Sequence, residues 1–342
     1  MRRLKNISIL LVTLIAAMTI SPIEAKKNKV SPEQKGLFAI NHYVAKAHTE
    51  FLASDALKGR ECGTEYGYIA GEYLISSFKQ MGVTPLFENS FVQPFEAYAL
   101  YRKNAGYTVH PEGIKEIKQG PHRKTTMRNI LAKIEGKNPD EIVIIGAHYD
   151  HLGYDANLVN DQIYNGADDN ASGVQAVLQI LQAFLATGQQ PERTVIFALW
   201  DGEEQHLLGS TYFVNNFADI KKVKGYMNLD MIGGSNSIED AEQHFNLNYM
   251  AADSIYADWL KSDIEQYSLN LTPNFKPSEK GCGSSDQVSF FNAGTSVVWY
   301  NTDTHSDYHM PTDECYRINY NKMVEITKAA FLCLWKMANN SL

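Results

Sequence analysis

Short apolar segments alternate with amphipathic helical segments along this chain, and the alternation limits its fold more than any other feature. The apolar segments are RNILAKI, EIVIIGAH, TVIFALW, VKGYMNLD and TSVVWYN, and between them lie segments with apolar residues at helical spacing, such as 171–187. Strands that alternate with helices form a mainly parallel sheet whose two faces the helices cover. The pattern therefore predicts an α/β fold, a three-layer α/β/α sandwich with a mixed, mainly parallel central sheet.

The first 25 residues differ in composition from the rest of the chain. Arg2, Arg3 and Lys5 precede the apolar run ISILLVTLIAAMTI, and the small residue Ala25 precedes two lysines. This pattern is typical of a secretory signal peptide cleaved after Ala25, so we expect export to the periplasm or the extracellular space. The run is short for a membrane span of about 20 residues, so no stable membrane anchor is expected. Residues 26–342 show no repeat or linker and are predicted to form a single domain.

The charge and cysteine content exclude several kinds of partner and scaffold. The 342 residues carry a formal net charge of −8, which argues against nucleic acid or an anionic membrane as a partner. Cys62, Cys282, Cys315 and Cys333 show no spacing typical of a disulfide framework. Cys282 and Cys315 could form one bridge, but scattered cysteines more often become small buried side chains.

Acidic and imidazole side chains follow three of the predicted strands. His148 and Asp150 come at the end of EIVIIGAH, Glu203 and Glu204 follow TVIFALW, and Asp230 follows VKGYMNL. Parallel strands end at the same edge of a sheet, where open α/β folds build their sites. Carboxylates and imidazoles gathered there would repel one another or lose their charge unless a cation held them. These residues therefore predict a metal centre.

The spacing of these residues suggests separate roles. Asp150 can accept a hydrogen bond from a metal-bound His148 and so orient it, whereas His151 is interpreted as a neighbour rather than a ligand. Adjacent glutamates often just begin a helix, where the helix dipole favours acids. Directly after a buried strand, however, one of Glu203 and Glu204 can hold a metal while the other accepts a proton from water.

Two further motifs add candidates. In NGADDNASG, Asn170 can cap the following helix, and the two acids before it exceed what a cap needs. Asp168 is the acid of this turn that we count among the metal-centre candidates, and a carboxylate held there could bridge two cations about 3.5–4 Å apart. His309 lies in the polar segment THSDYHMPTDE, where His305 competes with it for the role of ligand.

Taken in order, these motifs resemble those of secreted zinc-dependent aminopeptidases of the co-catalytic dizinc kind. Related proteins are bacterial leucyl aminopeptidases, glutamate carboxypeptidases and glutaminyl cyclases. The resemblance extends from LASDALKGRECGTEYGYIAGEYL through AHYDHLG, NGADDNASG, ALWDGEEQHLLGS and NLDMIG to DYHMPTDE. It implies that residues 26–342 are a single zinc-peptidase catalytic domain with a zinc-exopeptidase-like fold, two Zn²⁺ ions per chain and a peptide substrate.

The resemblance also implies a role for each candidate residue. One zinc ion would be held by Asp168, Glu204 and His309, and the other by His148, Asp168 and Asp230. Glu203 would be the general base, and Asp150 would be the other catalytic residue. His309 is favoured over His305 because the ligand in similar sequences follows a Tyr and precedes a short Pro-containing stretch. Family members also tend to have a cis peptide bond after the bridging aspartate.

The implied activity is removal of N-terminal residues from peptides by a zinc-activated water. A single-zinc acyltransferase resembling glutaminyl cyclase, or a binding ectodomain with an inactive site, are the alternatives. Retention of both ligand sets and of Glu203 favours the hydrolase. The chain departs from the family at Gln287, where relatives commonly have His, and at 281–283, where some have a Tyr. The sequence leaves open the preferred N-terminal residue, dipeptidase or carboxypeptidase action, and the oligomeric state.

Overall fold

The structure, a computed structural model, describes residues 30–102, 105–234 and 243–340, and the predicted signal peptide lies outside these residues. Within them the α-helices are α1 (Pro32–Ala39), α2 (His42–Leu52), α3 (Glu65–Met81), α4 (Pro111–Ile117), α5 (Gly173–Thr187), α6 (Leu208–Asn216), α7 (Ile255–Tyr267), α8 (Gln287–Asn292) and α9 (Tyr320–Asn339). The strands are β1 (Thr84–Pro85), β2 (Val92–Leu100), β3 (His122–Ile134), β4 (Asn138–His148), β5 (Arg193–Trp200), β6 (Val223–Leu229), β7 (His244–Met250), β8 (Thr272–Ser278) and β9 (Ser296–Asn301).

These strands form one mixed sheet with a parallel centre. Their order is β1-β3-β5-β4-β6-β9-β7-β8, and β2 pairs with β3. The central strands β5, β4, β6 and β9 run parallel to one another. On either side, β3 runs antiparallel to β5, and β7 runs antiparallel to β9. The structure confirms the predicted mixed α/β sheet, and the four central strands are four of the five that the sequence pattern indicated.

Helices cover both faces of the sheet and enclose a core on each. On one face the Phe184 ring of α5 packs against Phe197 of β5 and Phe331 of α9, with ring centroids 5.9 Å and 5.6 Å apart. On the other face Trp200 packs against Phe290 of α8, with a centroid distance of 5.8 Å. Burying each such side chain contributes about 1.5–3 kcal/mol. The layers are therefore the predicted helix–sheet–helix sandwich.

Two of the N-terminal helices are bounded by residues that favour helix ends. Ser31 and Gln34 form a reciprocal capping box at the start of α1. Gly82 ends α3 in the left-handed conformation at φ +68°, which glycine adopts without steric cost. No helix within the described ranges has both the length and the apolar character that a membrane span requires. All four cysteines lie in the described part of the chain as free thiols, so the bridge considered for Cys282 and Cys315 is not formed.

The sequence pattern did not indicate β7, β8, α4 and α8. Strand β7 alternates buried apolar with half-exposed polar residues over only seven positions. Strand β8 contains two prolines and no fully buried residue, and it pairs with β7 alone at the edge of the sheet. An edge strand needs neither an apolar face on both sides nor a complete set of N–H donors, so its sequence carries a weak signal.

Candidate metal centre

The site lies at the carboxyl ends of β4, β5 and β6. Strand β4 runs between the other two, and His148 at its end is in register with Trp200 at the end of β5. The loops that follow these strands therefore leave the sheet side by side. They carry Asp150, the Glu203–Glu204 pair and Asp230, so the topology brings together side chains separated by some 80 positions in the sequence.

A first set of donor atoms surrounds the His148 imidazole, which is 1% exposed. Its Nε2 atom lies 3.2 Å from Asp169 Oδ1 and 3.5 Å from Asp230 Oδ1. Its other nitrogen, Nδ1, lies 3.2 Å from the Asp150 carbonyl oxygen, which holds the ring in place. The Ser285 hydroxyl donates to Asp230 Oδ2. Asp230 Oδ1 is buried and has no hydrogen-bond partner among the described residues.

A second set of donor atoms surrounds His309. Its Nε2 atom lies 3.2 Å from Asp169 Oδ2 and 3.2 Å from Glu204 Oε2. The other carboxylate oxygen of Glu204, Oε1, lies 2.7 Å from His151 Nδ1. His151 thus contacts the oxygen of Glu204 that faces away from His309. Asp169 contributes one oxygen to each set, so its carboxylate joins them.

The structure corrects the assignment of the shared carboxylate from Asp168 to Asp169. Asp168 Oδ1 accepts a hydrogen bond from the Gly233 amide at 2.6 Å, and Asp168 Oδ2 lies 3.0 Å from His305 Nε2. Asp169 has extended dihedral angles, φ −102° and ψ 93°, so the two adjacent side chains point in different directions. A cis peptide bond follows Asp169 and joins it to Asn170. The sequence pattern did not show which of the two acids takes this position.

Asp150 fixes the turn that carries the two glutamates. Its carboxylate accepts hydrogen bonds from the backbone amides of Glu203 at 3.1 Å and Glu204 at 3.4 Å. Glu204 is thereby directed toward Asp169 and His309. The side chain of Glu203 is 14% exposed, and its Oε2 atom lies 4.0 Å from His148 Nε2. Glu203 therefore stands beside the two donor sets rather than within them.

The electrostatics of the site differ sharply between neighbouring carboxyl groups. Burial raises the pKa of Glu203 well above its usual range, and the charges of Asp230 and Asp286 raise it further against the opposing effect of His148. Burial also opposes ionisation of Asp169, but its hydrogen bonds with His148 and His309 outweigh this and hold its pKa well below the usual range. Imidazoles and carboxylates here share protons that a cation would displace, as metal binding to such groups requires.

The distances between imidazole and carboxylate donor atoms match those around a zinc ion. Zinc bound at 2.0–2.2 Å to nitrogen and oxygen in tetrahedral geometry separates its ligand atoms by roughly 3.3 Å. The four imidazole-to-carboxylate distances in the two sets are 3.2, 3.5, 3.2 and 3.2 Å. The unpartnered buried oxygen of Asp230 is accounted for if it binds a cation. The residues present therefore fit a divalent metal ion.

Residues that sequence reasoning missed support the site through backbone groups. The Arg60 guanidinium, fully buried, donates to the carbonyl oxygens of Gly166 at 2.8 Å and Asp169 at 3.0 Å. The Asp313 carboxylate accepts hydrogen bonds from the amides of Asp168 and Asp169. Both residues lie in segments whose polar composition is typical of loops. Their partners are main-chain atoms, which leave no pattern of side chains in the sequence.

The two departures from the family pattern are structural in this chain. Gln287 is fully buried, accepts a hydrogen bond from Asn228 at 2.9 Å, and donates to the Cys282 carbonyl. A Cβ atom at Gly283 would lie 2.0 Å from the Trp299 ring, so no larger side chain fits there. Gln287 thus holds the 282–285 segment, and no tyrosine hydroxyl is available at 281–283.

A cavity opens above the donor atoms. Its floor includes His148, Asp169, Glu203 and Asp230, and its walls include Met231, Ser284, Trp299, Asp303 and Tyr308. The Tyr308 ring stacks on the His309 imidazole with centroids 3.8 Å apart. The described cavity lining contains no lysine or arginine, and its titratable side chains are carboxyl groups, imidazoles and the Tyr308 phenol.

Comparison with known proteins adds a family. A model described as peptidase family M28 matches residues 129–333, more than half of the chain. Leupeptin-inactivating enzyme 1 from Streptomyces exfoliatus is 32% identical over 171 residues, which are 49% of this chain and 34% of that protein. An aminopeptidase from Pseudomonas aeruginosa is 35% identical over 116 residues, 33% of this chain and 20% of that protein. The chain thus matches about a third or less of the length of these curated relatives.

Solved structures show the same fold. The zinc aminopeptidase BSAP from Bacillus subtilis superposes with a TM-score of 0.66 over 88% of this chain and 96% of that one. The two sequences are 16% identical over this match, so the likeness concerns the fold.

Proposed function

Because the chain belongs to peptidase family M28, we propose that it is a metal-dependent exopeptidase, an aminopeptidase that removes N-terminal residues from peptides. The observation that carries the proposal is the double use of the Asp169 carboxylate, whose two oxygens face two imidazoles 3.2 Å away. Relatives named as aminopeptidases support the choice of reaction. The composition of residues 1–25 supports export to the periplasm or the extracellular space.

We infer that the site holds two zinc ions. His148 and Asp230 would hold one, Glu204 and His309 would hold the other, and Asp169 would bridge them. Two zinc ions there would lower the pKa of a water molecule and polarise the scissile carbonyl of a peptide. The mixed imidazole and carboxylate donors favour zinc, and cobalt or manganese would also fit such a set.

Glu203 is the general base of the proposed reaction. It lies beside the donor atoms, and burial raises the pKa of its carboxyl, which makes it a better proton acceptor than an exposed glutamate. Its carboxylate takes a proton from the attacking water and returns it to the nitrogen of the leaving amine. Asp150 keeps Glu203 in place through the Glu203 amide and keeps His148 oriented through its own carbonyl.

The cavity supports recognition of a free α-amino group. A free α-amino group can bind in a cavity lined by carboxylates, and the described lining has no lysine or arginine to repel it. The Asp303 side chain on the wall adds a further negative charge. A blocked N-terminus loses this attraction, so exopeptidase action follows from the charge of the site.

The test combines metal analysis with a panel of aminoacyl p-nitroanilides. We expect about two metal ions per chain in the wild type and in Glu203→Gln, and a fall in kcat of several orders of magnitude in the variant, because Gln cannot accept the proton. Glu88→Gln, at an exposed position, is the matched control and should keep full activity. Full activity of Glu203→Gln would remove Glu203 from the reaction.

The same panel separates the alternatives. N-acetylated substrates should not be cleaved, and their cleavage at an equal rate would contradict the proposed aminopeptidase. A peptide with N-terminal glutamine reports cyclase action through release of ammonia without loss of the residue. A protein that binds one zinc ion and only cyclises, or binds metal and turns over nothing, would support the acyltransferase or the binding ectodomain instead.

A further inference from the structure

The segment that carries His309 is fastened to Asp168 at both of its ends. We define residues 305–313 as the His309 loop. At its start, His305 Nε2 lies 3.0 Å from Asp168 Oδ2. At its end, the Asp313 carboxylate accepts hydrogen bonds from the Asp168 amide at 2.9 and 3.1 Å. Because both ends of this nine-residue loop contact Asp168, its middle residue, His309, is kept close to Asp169, which follows Asp168 in the chain.

Hydrogen bonds determine which nitrogen of His305 carries the proton. The Asp307 amide donates to His305 Nδ1 at 3.2 Å, so Nδ1 is an acceptor. The proton is therefore on Nε2 and is donated to Asp168 Oδ2. The second oxygen of Asp168 accepts from the Gly233 amide at 2.6 Å. Both side chains are buried, at 5% exposed for His305 and 1% for Asp168.

The backbone at Gly234 closes over this pair. A Cβ atom at Gly234 would lie 2.3 Å from Asp168 Oδ2 and 2.5 Å from the His305 ring, so only glycine permits this approach. The Gly234 carbonyl in turn accepts a hydrogen bond from the buried Lys322 ammonium. The Asp168–His305 pair is thus enclosed and has a single arrangement.

His309 stacks on the neighbouring Tyr308 ring, but much of its side chain remains open to solvent. Its side chain is 37% exposed, and its backbone has φ +56°, a conformation that residues other than glycine seldom adopt. Such a conformation persists where the surrounding structure determines it. We propose that Asp168 and His305 are positioning residues that hold the His309 loop, and with it His309 Nε2, in reach of a metal ion shared with Asp169 and Glu204. This inference rests on the proposed function.

The experiment is a double-mutant cycle between His305 and His309, read out by calorimetric titration of the metal-free protein with Zn²⁺. His305→Ala should lower the affinity for one of the two zinc ions about 10–100-fold, which is the usual cost of losing a residue that orients a ligand. The affinity for the other zinc ion should not change. His309→Ala should weaken the same ion. Added to His309→Ala, the His305→Ala change should have no further effect, because its influence is exerted through His309.

Two variants and the thermal midpoint keep the test specific. His305→Gln retains an N–H donor at similar reach and should bind zinc nearly as the wild type does. His122→Ala, at an exposed histidine at the start of β3, is the matched control. The inference would be overturned if His305→Ala lowered zinc affinity equally in the wild type and in His309→Ala. It would also be overturned if His305→Ala lowered the affinity for both zinc ions together with the Tm. A wild-type protein that binds fewer than two ions would instead refute the proposed dinuclear site, and the role of His305 with it.

Discussion

Replacement of Arg60 by lysine should lower the free energy of unfolding by about 2–6 kcal/mol. The guanidinium is fully buried and donates to five backbone carbonyls, those of Leu52, Tyr149, Asn165, Gly166 and Asp169. A lysine ammonium has three donors, so at least two of these carbonyls lose their partner. Each buried acceptor left without a donor costs about 1–3 kcal/mol, which gives the stated range.

The measurement is urea unfolding of the wild type and Arg60→Lys, followed by fluorescence and by circular dichroism so that coincident transitions establish two-state behaviour. For each protein, the midpoint multiplied by the slope m gives the free energy of unfolding, and the two values are then subtracted. Arg317→Lys is the matched control because that guanidinium is 53% exposed and should change stability by less than about 0.5 kcal/mol. A loss below about 1 kcal/mol at Arg60, with m unchanged, would refute the reasoning.

Two further outcomes test the site and the N-terminal helices. Asp169→Asn should lose both zinc ions while Asp168→Asn retains two, one of them more weakly, as measured by metal content after dialysis; retention of both ions by Asp169→Asn would contradict a bridging role. Burial lowers the pKa of His48 to about 4 from an ordinary value of 6.5, so between these pH values the unfolded chain binds the extra proton and stability falls as the pH is lowered. His48→Gln should remove this part of the pH dependence, which is measured by urea unfolding at pH 7 and pH 4.5. An equal loss of stability between these pH values in the wild type and the variant would count against it.

The residues at strand ends were predictable because topology alone places them. Once β4, β5 and β6 are recognised as neighbouring parallel strands, the side chains that follow them must meet at one edge. His148, the Glu203–Glu204 pair and Asp230 were found in this way, and no knowledge of their contacts was needed. The hydrophobic pattern indicates such positions because a buried strand is a continuous apolar segment, and the strand ends where that segment ends.

The groups that support the site could not be found by the same reasoning. Arg60 and Asp313 bind carbonyl and amide groups, which every residue possesses, so no complementary side chain marks their partners. Whether a loop arginine is solvated or fully buried depends on the loops around it. The polar composition of the segment around Arg60 gave no sign that its side chain is fully buried.

The choice between Asp168 and Asp169 shows where sequence reasoning ends and conformation begins. The chain has two acids in one turn and two histidines in one loop, and the structure matches them as two separate pairs. Asp168 pairs with His305, and Asp169 lies beside His309. The resemblance to zinc peptidases favoured His309 over His305 through its flanking residues, but it favoured Asp168 as the shared carboxylate, and the structure places Asp169 there. Only the extended backbone at Asp169, which turns successive side chains apart, determines which carboxylate faces the donor atoms and which one holds the loop above them.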